Sequence, residues 1–133
     1  MSDRAENEND LRTRGVLERI AKASGKLLRV EREPAPGPGG ALHSRHLRLS
    51  FDVGAVQLHT EAGGLMASTV EGEGALINAD EDEPWWTVIG SPLTRVAAQE
   101  GGGLLVQFRA DDSSPKLFVL VAEGEAVAVR VVV

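Results

Sequence analysis

Two groups of residues in this 133-residue chain have the types and spacing to do chemistry. The first is Asp80-Glu81-Asp82-Glu83-Pro84-Trp85-Trp86, four carboxylates followed after one proline by both tryptophans of the chain. Such a run can hold a hard cation or present a negative surface to a basic partner. A calcium loop needs about six to eight oxygen ligands at set spacing, and the D-x-[DN]-x-[DN]-G pattern is absent, so the plainer reading is a solvated acidic loop. The second group is His43-x-x-His46 with His59. His46 and His59 could meet across a hairpin, but two imidazoles are an incomplete zinc site, and surface histidines are the plainer reading. No metal or cofactor is assigned from the sequence.

Other chemistries are poorly supported. Ser113 and Ser114 adjoin Asp111 and Asp112, but D-D-S-S-P is turn chemistry, and no G-x-S-x-G elbow exists. Gly101 to Gly103 precedes a strand pattern, not a helix, so it does not cradle phosphate. There is no cysteine, which excludes thiol catalysis, disulfides and Cys-based zinc sites, and fits a reducing cytoplasm. An enzyme could use carboxylates dispersed along the chain, but no pair stands out.

Charge sorts the partners. Residues 1–50 carry ten Lys/Arg and seven Asp/Glu, while residues 51–133 carry four and thirteen. An acidic chain of net charge −6 is a poor nucleic-acid binder, because that affinity comes from Lys and Arg on phosphates. The acidic half suits a basic protein partner.

The elements that must position these residues can be read from periodicity. Residues 1–8 read as a disordered polar tail with no secretory character, and 9–133 as a single domain. Asn9 or Asp10 caps a helix running to about Ser24, with Leu11, Val16, Leu17, Ile20 and Ala21 as its apolar stripe and Gly25 as its stop. A membrane-surface helix is the alternative, and no apolar run approaches the ~20 residues that span a bilayer. Lys26 to Arg32 is a strand with Leu28 and Val30 facing one way. Residues 33–41 form a Pro/Gly loop, which could also serve as a proline-motif ligand. Leu47, Leu49 and Phe51 alternate with polar residues, as do Val56, Leu58 and Thr60 with Gln57, His59 and Glu61, giving a hairpin across Asp52-Val53-Gly54. Further strands follow at Leu65–Val70, Leu93–Ala98, Leu104–Arg109, Leu117–Ala122 and Val127–Val133, with residues 71–83 as loop.

Between them lies the tryptophan segment. Proline suits a helix start, and Gly90-Ser91-Pro92 suits a stop, so Pro84–Ile89 reads as one or two helical turns, with a strand as the rival. Helical spacing then puts Trp85, Val88 and Ile89 on one face and Trp86 on another. Trp86 either fills core volume with Trp85 or anchors a partner.

The alternating hairpin, the acidic loop, Gly90-Ser91-Pro92-Leu93 after the tryptophans, and Leu104-Leu105-Val106-Gln107-Phe108 together resemble small uncharacterised bacterial α+β domains, some of them immunity-protein-like. That resemblance covers residues 47–133 and implies protein binding without catalysis.

The expectation is therefore an α+β fold, with an N-terminal helix on an antiparallel meander of about seven strands. Its expected role is a non-enzymatic cytoplasmic interaction domain, of immunity or regulatory type. It would bind a protein partner, basic in character, through Asp80, Glu81, Asp82, Glu83 and Trp86, with no nucleic acid or membrane involved. The alternative is a small-ligand or metal-binding domain. The valine-rich last strand is a candidate edge for homodimerisation.

Overall fold

The computed structural model of the protein describes residues 8–35, 42–68, 76–82, 85–99, 102–109 and 115–132. In chain order come α1 (Glu8–Lys22), β1 (Leu27–Pro34), β2 (His43–Phe51), β3 (Gly54–Glu61), β4 (Gly64–Ser68), β5 (Ile77–Asn78), one turn of 3₁₀ helix (Trp85–Thr87), β6 (Leu93–Ala98), β7 (Leu104–Arg109), β8 (Pro115–Glu123) and β9 (Ala126–Val132). The class is α+β, one helix against a curled antiparallel sheet.

The hairpins form where alternation is strict. Leu47, Leu49 and Phe51 on β2 and Val56 and Leu58 on β3 are all buried, and the two-residue turn Asp52-Val53 joins Phe51 to its partner Gly54. At the next turn Ala62 and Gly63 both take positive φ, the geometry that matches the twist of a tight hairpin. On β8, Phe118, Val119 and Leu120 are buried in succession, as a strand covered on both faces requires.

Seven strands form a path in the order β4-β3-β2-β9-β8-β7-β6. The arrangement is two meanders joined through β2 and β9. β3 pairs with β2 at Leu47–Phe51, whereas β9 meets it only at His43 and Ser44. β9 thus lies between β8 and β2 in the path, paired to β2 through Val127 and Ala128, while Val131 and Val132 stay exposed. β1 runs along the other edge of β2 and carries β5 beyond it.

The two end strands, β4 and β6, both pack against α1. The helix does more than cover them. Asp10 Oδ1 accepts the Leu65 amide at 2.8 Å, and the Thr13 hydroxyl donates to the Leu65 carbonyl at 2.7 Å. Two helix side chains therefore take the place of a further strand on β4, which closes an edge that would otherwise invite pairing. Asp10 Oδ2 also reaches the Gly103 amide at 3.4 Å, at the start of β7. A side chain at Gly103 would meet the Leu120 carbonyl oxygen at 2.6 Å, so only glycine fits.

Several expectations change. On α1, Leu17 and Ile20 are buried, but Leu11 is 37% exposed and Thr13 is fully buried in its stead. The helix stops at Lys22, and Ser24, not Gly25, takes the left-handed conformation, with φ 54°. Gly25 donates to the Ile20 carbonyl at 3.0 Å and Ser24 to that of Ala21 at 3.0 Å, the paired closure of a Schellman motif. Gly25 is needed for space: a Cβ there would lie 2.7 Å from Ile20 Cγ2. A register shift between Leu27 and Arg29 on β1 turns Leu28 outward, 53% exposed, and sends Leu27 and Val30 into the core. β1 continues through Glu33 and Pro34, which shortens the expected loop, whose residues 36–41 lie outside the described part, as do 1–7 of the expected tail. Gln57, which alternates with the buried Val56 and Leu58, is itself only 7% exposed.

Thr13→Val keeps the shape of the side chain but leaves the Leu65 carbonyl without its donor. This should cost about 1–3 kcal/mol, read as a lowered urea midpoint. Leu11→Ser should stay within about 0.5 kcal/mol of wild type. A Thr13→Val midpoint equal to wild type would show that the helix does not close this edge.

Candidate functional site

The outer edge of β1 has backbone groups that need partners, and the tryptophan region supplies them. β5 pairs with Arg32 and Glu31. Ala79 then donates to the Val30 carbonyl at 2.8 Å, while Asp80 Oδ1 accepts the Val30 amide at 2.6 Å. Here a carboxylate replaces the carbonyl that a continuing strand would offer, and the main chain is free to leave. It returns at Gly90, which donates to the Leu27 carbonyl at 2.6 Å, and at Ser91, whose carbonyl accepts the Leu27 amide at 3.0 Å. Leu93 donates to the Gly25 carbonyl at 2.9 Å, and Lys26 and Pro92 form an isolated antiparallel bridge. Residues 77–80 and 90–93 thus act as one interrupted strand along Gly25 to Arg32, and through them the start of β6 comes beside the start of β1 as the sheet curls.

The interruption carries the tryptophans. A 3₁₀ turn repeats about every three residues, so Trp85 and Val88 fall on one side. Both are completely buried, Ile89 packs partly against the core, and Trp86 is 57% exposed. This is the division expected from helical spacing, achieved by the tighter helix. Trp85 stands edge-on to Phe118, with centroids 5.5 Å apart and planes at 76°, and Phe118 in turn lies 6.0 Å from Phe108. Among the described residues, the buried Trp85 Nε1 has no hydrogen-bond partner. An unpaired N–H costs about 1–3 kcal/mol. Burying some 150–250 Å² of indole returns roughly 4–6 kcal/mol, so the ring stays in. Gly90 has φ 88°, which lets the chain turn back onto β1.

The acidic residues separate by role. Asp80 is structural: besides Val30 it accepts from Asn78 Nδ2 at 3.2 Å, and its amide donates to Asn78 Oδ1 at 2.9 Å. Asp82 lies 3.8 Å from Arg32 Nε, with 41% of its side chain exposed, and its carbonyl accepts the Trp86 amide at 3.1 Å. Glu81 is exposed. Glu83 falls outside the described residues, as do Glu71 and Glu73. The structure therefore brings Glu81, Asp82 and Trp86 onto one short excursion and commits Asp80 to holding it in place.

Arg32 was not singled out from the sequence. It sits two residues after Val30 on the inward side of β1, with only 10% of its side chain exposed. Its Nη1 donates to the His43 carbonyl at 3.2 Å, and Asp82 supplies the counter-charge that a buried cation needs. Its signal was in the alternation itself, which puts Arg32 two residues after Val30 on the same inward face.

The histidines divide as well. His43 Nε2 lies 3.0 Å from Glu123 Oε1, and Arg130 holds the other oxygen of the same carboxylate. The hydrogen bonds from His43 and Arg130 hold the Glu123 carboxyl below its ordinary range. His46 and His59 do meet across the hairpin, with ring centroids 5.7 Å apart. Among the described residues, no group of three or more His, Asp or Glu side chains converges as a metal site. Among them too, no helix is long and apolar enough to cross a membrane.

Asp80→Ala should destabilise the protein by about 1–3 kcal/mol in chemical denaturation, because the Val30 amide loses its acceptor. Glu81→Ala should shift stability by less than about 0.5 kcal/mol. Equal effects of the two would remove the distinction between anchor and surface. Comparison with protein-family models, curated proteins and solved structures finds no match to this chain.

Proposed function

We propose that the protein is a non-enzymatic interaction domain of the immunity or regulatory kind, acting in the cytoplasm. In this reading it engages a basic protein partner through Glu81, Asp82 and Trp86. The observation that carries the reading is an exposed tryptophan, 57% accessible, on a turn whose neighbouring tryptophan is locked in the core. Exposing so large an apolar ring costs solubility, and aromatic anchors of this kind are enriched at binding hot spots. The turn is anchored at both ends, so little conformational freedom remains to be lost on binding. Its flanking carboxylates, and the surplus of acids over residues 51–133, favour encounter with a positive surface. The lack of cysteine fits a reducing compartment. A metal-binding reading rests on a separate face, where His46 meets His59.

Affinity purification from the native host extract tests the proposal, with wild type compared to a Glu81→Lys, Trp86→Ala double variant of unchanged circular dichroism. A specific basic protein retained by wild type should bind the variant at least tenfold more weakly. Its wild-type affinity should also fall as salt rises. Equal retention by both proteins would place the interface elsewhere.

A further inference from the structure

The β2–β3–β4 hairpins carry a row of donor side chains on the face away from the core. Leu47 pairs with Leu58, and continuing that register by one residue sets His46 opposite His59. The imidazole centroids are 5.7 Å apart and the rings are tilted by 45°. His59 is in turn the cross-strand partner of Met66 on β4. The residues His46, His59 and Met66 thus occupy adjacent positions on three neighbouring strands.

The surroundings suit a cation. His46 Nδ1 lies 2.8 Å from Glu33 Oε1 on β1, which orients the ring and leaves Nε2 as its free nitrogen. A carboxylate holding the far nitrogen of an imidazole is the usual support of a metal-ligating histidine. His59 Nε2 has Glu61 Oε1 at 3.5 Å, a looser contact that lets either ring nitrogen turn inward. Arg48, the nearest positive group in the next row, is engaged by Glu31 at 3.6 Å and by Gln57 Oε1 at 3.2 Å. Both imidazoles are accessible, with 29% and 28% of the side chain exposed.

We infer that His46 and His59 form a two-imidazole site for a divalent transition-metal ion, copper above zinc, beside Met66 on the next strand. Metal–nitrogen bonds of about 2.0–2.1 Å at a tetrahedral angle hold two ring centroids about 5 Å apart. The observed 5.7 Å reaches that value by a small rotation of the side chains. Water completes the coordination. Imidazole suits copper and zinc rather than magnesium and calcium, so the site is chemically distinct from the acidic turn.

Isothermal titration of the full chain with Cu²⁺, Zn²⁺ and Mg²⁺ separately is the test. One saturable site is expected for Cu²⁺ and a weaker one for Zn²⁺, with none for Mg²⁺. His46→Ala and His59→Ala should each weaken both ions at least tenfold, whereas His43→Ala should leave them unchanged. Glu33→Gln should weaken binding by about 10–100-fold through loss of ring orientation. Absence of saturable Cu²⁺ uptake up to millimolar concentration would overturn the proposal. So would uptake that survives His46→Ala and His59→Ala, or that His43→Ala abolishes.

Discussion

Leu27 and Val30 each spend both backbone groups on the segment that carries the tryptophans. Without those four hydrogen bonds the outer edge of β1 would be open, and β6 would have no route to its place beside Lys26. The rest of the architecture depends on this pairing. It fixes where the chain leaves the sheet and where it rejoins. Between those points the chain has room for one 3₁₀ turn, and the turn separates the two indoles. Trp85 then fills the core beside Phe118, and Trp86 is left in solvent. The exposed ring follows from the closure of the sheet.

The other end of the path is closed by a different device. On β4 the helix offers a carboxylate and a hydroxyl where a strand would offer backbone. At both ends a side-chain acid stands in for a carbonyl: Asp80 toward Val30, and Asp10 toward Leu65. Charge-assisted bonds of this kind are stronger than neutral ones, which suits positions that must hold an edge on a few contacts. The acidic balance of the chain is therefore partly architectural: Glu81 faces solvent, while Asp82 both balances Arg32 and keeps 41% of its side chain exposed.

Much of this was legible in the sequence, for identifiable reasons. Strict alternation marks β2, β3 and β7, whereas β6 buries Leu93 and Val96 with two exposed residues between; helical spacing separates Trp85 from Trp86 but leaves open whether Trp86 fills core volume or meets solvent. What escaped were features set by tertiary contact. Thr13 reads as a polar interruption until the Leu65 carbonyl is placed against it. Leu28 reads as a core residue because a one-residue shift on a strand reverses every face, and nothing local announces the shift. β5 is two residues long, too short to show a period. Within the acidic run, the sequence could not separate Asp80, which anchors, from Glu81, which faces solvent, since both are carboxylates beside one another. His46 and His59 were identified as a pair that could meet, and the hairpin register brings them together.

The central claim is that residues 77–93 close the sheet as one interrupted strand on β1. Native-state hydrogen exchange by NMR tests it most directly. The account predicts that the amides of Leu27, Val30, Ala79, Gly90 and Leu93 exchange only through global unfolding, with the same protection free energy as Val106 or Leu120 in the middle of the sheet. If those five amides exchange by local opening, several kcal/mol more readily than Val106 and Leu120, the tryptophan segment is an appended loop. The closure by which the fold has been explained would then be wrong.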